Sequence, residues 1–99
     1  MDDKFKIQVC DKARISILAW NDFCSLTKAG ILIKAMWAIN RDDNSRYKIR
    51  SEDISCFTVT DEWNDSLGVS DKDFYFTDHN NSETEALTSA LKYIFDNKE

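Results

Sequence analysis

Ser25-Leu26-Thr27-Lys28-Ala29-Gly30-Ile31-Leu32-Ile33-Lys34-Ala35-Met36-Trp37-Ala38-Ile39-Asn40 decides the architecture of this chain. At helical spacing, Leu26, Ala29, Leu32, Ile33, Met36 and Trp37 fall on one stripe, with Lys28 and Lys34 off it. Ser25 or Thr27 then stands where a capping hydroxyl is wanted. At strand spacing, Ile31, Ile33, Ala35, Trp37 and Ile39 alternate instead, and Asp42-Asp43-Asn44-Ser45 becomes a hairpin loop into Tyr47-Lys48-Ile49. The Ala, Leu, Met and Lys content favours the helix, over 25–40.

On the N-terminal side, Lys4 to Val9 alternates Phe5, Ile7 and Val9 with Lys4, Lys6 and Gln8, the period of a half-buried strand. Cys10-Asp11-Lys12 then reads as a turn, and the β-formers of Arg14 to Trp20 as the returning strand of a hairpin. On the C-terminal side, Arg46 to Arg50, Ile54 to Thr60 and Asp73 to Thr77 read as strands, the last with Phe74 and Phe76 inward and Tyr75 outward. A final helix over 82–97 opens on a capping box, Ser82 with Glu85, and turns Ala86, Leu87, Ala90, Leu91 and Ile94 inward. The expected fold is one α+β domain spanning 1–99. Its sheet is small, mostly antiparallel and of four to five strands, packed on one face by the 82–97 helix and a second helix over 25–40.

Of the 99 residues 42% are hydrophobic and 31% charged, too apolar for a disordered chain. The longest apolar run, Ile31 to Ile39, is broken by Lys34 and falls short of the roughly 20 residues a membrane helix needs. Met1-Asp2-Asp3-Lys4-Phe5 has neither the basic nor the apolar region of a secretory signal. Three cysteines, an odd number, argue against a closed disulfide framework, and cytoplasmic residence with free thiols is expected. Gly30 and Gly68 are the only glycines, so phosphate-cradling loops, dinucleotide turns and nucleophile elbows have no glycine set to build on.

Specific chemical signatures are lacking. Cys10, Cys24, Cys56 and His79 make a four-ligand set in number only, because 13, 31 and 22 residues separate them and no turn supplies two ligands at once. His79, in the polar stretch Thr77-Asp78-His79-Asn80-Asn81, is the one imidazole available to a Cys24 or Cys56 nucleophile, and nothing in the spacing brings them together. Asp71-Lys72-Asp73 begins like a calcium loop but has Phe76 where that loop needs glycine. No metal, no cofactor and no enzymatic activity are expected.

Charge is the informative feature. Residues 1–50 carry ten Lys/Arg against six Asp/Glu, whereas residues 51–99 carry three against twelve. Ser51 to Glu85 holds ten carboxylates and only Lys72 to offset them, with Phe57, Trp63, Phe74, Tyr75 and Phe76 interleaved. Concentrated negative potential steers a basic partner, and a rigid aromatic among the charges is the composition of a binding hot spot. The expected partner-binding residues are Glu52, Asp53, Asp61, Glu62, Trp63, Asp65, Asp71, Asp73 and Tyr75, with Trp63 as anchor. The basic half, Lys4, Lys6, Lys12, Arg14, Lys28, Lys34, Arg46, Lys48 and Arg50, raises the question of nucleic acid, but the net charge of −5 opposes phosphate and direct nucleic-acid contact is not expected.

These observations point to a small acidic binding protein, monomeric or homodimeric and off the membrane, that inhibits a basic, nucleic-acid-handling partner such as a nuclease. Immunity proteins that neutralise nuclease toxins and phage anti-defence or anti-CRISPR inhibitors share this profile, in some cases with carboxylates standing in for phosphates. The alternative is an accessory or oligomerisation domain in which the two oppositely charged halves satisfy each other.

Overall fold

The computed structural model describes residues 3–53, 56–61, 73–77 and 83–97, with the backbone alone for 52–53 and 73–77. Along the chain run α1 (Asp3–Ala13), α2 (Ile17–Trp20), α3 (Ser25–Arg41), β1 (Tyr47–Asp53), β2 (Cys56–Asp61), β3 (Asp73–Thr77) and α4 (Glu83–Asp96). The strands form one antiparallel sheet in the order β1-β2-β3, with Ile49 opposite Val59 and Val59 opposite Phe74. A bulge between Ser51 and Asp53 ends the regular β1–β2 register.

The sheet therefore has three strands among the described residues, where the sequence suggests four to five. The missing strands are the two N-terminal ones. Lys4 to Val9 lies inside α1, because Phe5, Val9, Cys10 and Ala13 recur at helical spacing and all four are buried. Only Ile7 fits the alternating pattern and not the helical one, and it is 55% exposed. Cys10-Asp11-Lys12 is accordingly the last turn of α1 and no hairpin turn. Arg14 to Trp20 is no strand either. It holds the turn that follows α1 and the short α2, whose Leu18 N–H donates to the capping Ser16 hydroxyl at 3.2 Å.

The α1 terminus has a specific geometry. Ile15 N–H donates to the Cys10 carbonyl at 2.9 Å, and Arg14 N–H to the Asp11 carbonyl at 3.2 Å. These are the paired bonds of a Schellman end, in which the residue after the cap turns left-handed. Glycine is favoured there, yet this chain places Arg14 at φ 59°.

α3 is helical over Ser25–Arg41, with its stripe rotated from the one the sequence suggests. Ile31, Leu32, Ala35 and Ile39 are buried, while Leu26 and Trp37 are exposed. Both α1 and the sheet press on α3, and their combined direction sets the buried face more strongly than its two largest apolar residues do. Neither Ser25 nor Thr27 caps it. Cys24 is the N-cap and makes no side-chain capping bond, and its sulfur lies 3.3 Å from the Thr27 hydroxyl.

α3 and α4 cover one face of the sheet, and α1 packs chiefly on α3. α4 buries Ala86, Leu87, Ala90, Leu91, Ile94 and Phe95. Its four large side chains contribute on the order of 6–12 kcal/mol of gross burial. Ser82, the expected cap of this helix, lies outside the described residues. The Phe5 and Phe95 rings meet at 5.9 Å, joining the first helix to the last. No helix among the described residues is long and apolar enough to cross a membrane.

Candidate functional site

The expected acidic surface is only partly described. Glu62, Trp63, Asp65 and Asp71 lie outside the described residues, as do Asp78 and His79. Glu52 and Asp53 end β1 beside its bulge, and Asp73 and Tyr75 take their places in β3 opposite Thr60 and Thr58. The backbone thus brings two of the acidic positions to one end of the hairpin and one to the far strand.

Asp61 has an internal role. It follows Phe57 and Val59 on the helix-facing side of β2 and is 2% exposed. Arg46 grips it through Nε, at 3.0 and 3.1 Å from the two carboxylate oxygens, and through Nη2 at 2.8 Å. The guanidinium also stacks 5.1 Å over the Tyr47 ring, which meets Tyr93 edge-on at 5.8 Å. A fork of two parallel charge-assisted bonds fits Arg and carboxylate geometry, and here it clamps the start of β1 to the end of β2. Burial, then the neighbouring Tyr47 and Asp61, push the Tyr93 phenol upward.

β1 forms one edge of the sheet, and Asn40 covers its middle. The Asn40 carboxamide donates to the Ile49 carbonyl and accepts from the Ile49 N–H, both at 2.8 Å. Lys48 turns back to the carbonyls of Asn40 and Asp42, not to an acidic side chain. The last turn of α3 and the start of β1 are thus one hydrogen-bonded unit.

The described residues also hold a cleft of about 740 Å³ where the end of α1 meets α3. Gly30, Lys34, Trp37 and Arg41 recur along one face of α3, and Lys12 and Arg14 face them from the end of α1. Trp37 is 52% exposed. A smaller recess of about 290 Å³, lined by Trp37, Asn40 and Arg41, adjoins it. Sequence reading places Trp37 in the core stripe and leaves Arg41 out of account. The signal for this cleft was the Lys34, Trp37, Arg41 spacing, concealed by the choice of buried face.

The cysteines are free, with Cys10 buried, Cys24 exposed and Cys56 between. No three His, Cys, Asp or Glu side chains gather into a metal-binding group among the described residues. Comparison with protein-family models, curated proteins and solved structures finds no match for this chain.

Proposed function

We propose that this chain is a small non-enzymatic binding protein of the cytoplasm that inhibits a basic, nucleic-acid-handling protein through its acidic C-terminal half. The observation that carries this reading is the segregation of charge: ten carboxylates and one lysine between Ser51 and Glu85. Asp61 is one of the ten and is held by Arg46 inside the fold, so the remaining nine supply the steering field. Long-range attraction brings the partner in, and Trp63 anchors the contact once water is expelled. A partner surface that ordinarily grips phosphate is covered in this way.

The test is affinity capture at low salt, followed by assay of any captured nuclease or nucleic-acid-binding activity with and without added protein. Inhibition that disappears when Glu62, Asp65 and Asp71 are changed together to Lys supports the proposal. A captured partner that works equally well with the protein bound points to the accessory-domain reading. Binding that survives the triple reversal removes the acidic segment from the mechanism.

A further inference from the structure

We propose that the cleft between the end of α1 and α3 binds a short segment of single-stranded nucleic acid, with a base stacked on Trp37 and phosphates held by Lys12, Arg14, Lys34 and Arg41. This site lies in the helical half of the molecule and does not rest on the acidic-surface reading.

Three observations converge on it. The first is charge. The four cations come onto one cleft from α3 and from the end of α1 with the residue that follows it, and none of them is in an ion pair among the described residues. Among the described residues Asp42 is the one carboxylate lining the cleft, and its Oδ1 accepts the Asn44 N–H at 3.0 Å. The α1 and α3 C-termini add about half a negative charge each, which leaves the cleft at roughly +2. The net charge of −5 that argues against phosphate binding is an average over the chain, in which ten of the thirteen Lys/Arg fall within residues 1–50.

The second is the indole. Trp37 is half exposed on a helix with buried positions one turn away, and it borders both the main cleft and the smaller recess. An aromatic face flanked by cations is the arrangement that binds single strands, because every base offers a π-face and every linkage a phosphate. Two adjoining recesses sharing Trp37 and Arg41 suit successive nucleotides better than one isolated nucleotide. Gly30 lines the cleft beside open space, since a Cβ built there would meet nothing within 4 Å.

The third is strain. Arg14 occupies the left-handed position of the helix end, where glycine would be relaxed. Its side chain lines the cleft, so the backbone holds an unfavourable residue at the place where a cation serves the ligand.

The experiment is fluorescence anisotropy of labelled ten-nucleotide dT and U oligomers titrated with the full chain at 50 mM salt. Lys34→Glu and Arg41→Glu should each weaken binding at least tenfold, and Trp37→Ala about tenfold. Lys4→Glu, on an exposed position of α1 outside the cleft, should change it less than twofold. The logarithm of the association constant should fall with the logarithm of salt at a slope of about −3, as expected for four phosphates on a single strand. Arg14→Gly separates fold from function: it should raise the melting temperature while weakening binding several-fold. No binding at millimolar protein would overturn the proposal, as would equal losses from Lys4→Glu and Lys34→Glu. Competition by AMP, inorganic phosphate or polyglutamate as effective as that of the oligomer would assign the cleft to those ligands instead.

Discussion

The side chain of Asn40 takes the place of a neighbouring strand for Ile49, giving one hydrogen bond and receiving one, each of 2.8 Å. A carboxamide is the only short side chain that carries both a donor and an acceptor in the plane this needs. Asn40→Asp keeps the acceptor and sets a carboxylate oxygen against the Ile49 carbonyl, and Asn40→Ala leaves both Ile49 groups unsatisfied. Each should destabilise the protein by about 2–3 kcal/mol in urea unfolding. Asn40→Ala should also self-associate in sedimentation at high concentration, because the uncovered β1 edge can pair with a second copy. An Asn40→Ala protein of unchanged midpoint would show that water replaces the carboxamide without loss.

Asp61 separates structural from functional acids. Asp61→Asn keeps the shape and removes the charge that the Arg46 fork grips. It should cost about 2–3 kcal/mol, less than a fully buried pair because Arg46 reaches solvent. Glu83→Gln, at an exposed site on α4, should cost under about 1 kcal/mol. Equal losses from the two would place Asp61 at the surface.

Gly30→Ala should stabilise the fold by about 1 kcal/mol, because Gly30 sits inside α3 and an added Cβ meets no atom. In a domain of this size that corresponds to a rise of about 4–8 °C in melting temperature. Arg14→Gly should add a comparable increment by relaxing the left-handed helix end. A fall in stability from either substitution would contradict the local geometry on which it rests.

The thiols should differ in reactivity. The hydrogen-bonded Thr27 hydroxyl, and then the nearby backbone amides at the start of α3, lower the exposed Cys24 thiol, whereas burial raises Cys10. At pH 7, iodoacetamide followed by mass spectrometry should label Cys24 well before Cys10. Labelling of Cys10 should appear only as denaturant opens the core. Early modification of Cys10 would mean that α1 detaches from α3 in the native state.

Alkaline pH should destabilise the protein. Tyr93 and Cys10 both have raised values in the fold, so between the unfolded and folded pKa the native state holds protons that the unfolded state has lost. Their contribution is complete below about pH 9 and declines as pH rises through the folded values. Urea midpoints measured from pH 8 to pH 11 should fall, and Tyr93→Phe should flatten the upper part of that decline. A midpoint rising over this range would reverse the sign of both shifts.

The sequence made some of this fold legible and hid the rest for identifiable reasons. α4 announces itself through Ala86, Leu87, Ala90, Leu91 and Ile94, which share one face and are all buried. α1 does not, because Phe5, Ile7 and Val9 satisfy a strand pattern over six residues, and only tertiary packing shows that Ile7 faces water. The same ambiguity hides the basic cleft, since Lys12 and Arg14 cannot face Lys34 unless α1 is a helix lying on α3. Asp61 was legible in principle. It continues the Phe57, Val59 alternation of β2 onto the core side, whereas a carboxylate is ordinarily a surface residue.

The Phe5–Phe95 contact gives the chain a particular order of assembly. The first helix finds its full set of neighbours only after the last has been synthesised, so a nascent chain carries α1 with one flank unsatisfied until Phe95 emerges. Folding of this domain should therefore wait until the α4 segment has been made, and a chain stalled before it should be a substrate for chaperones and proteases.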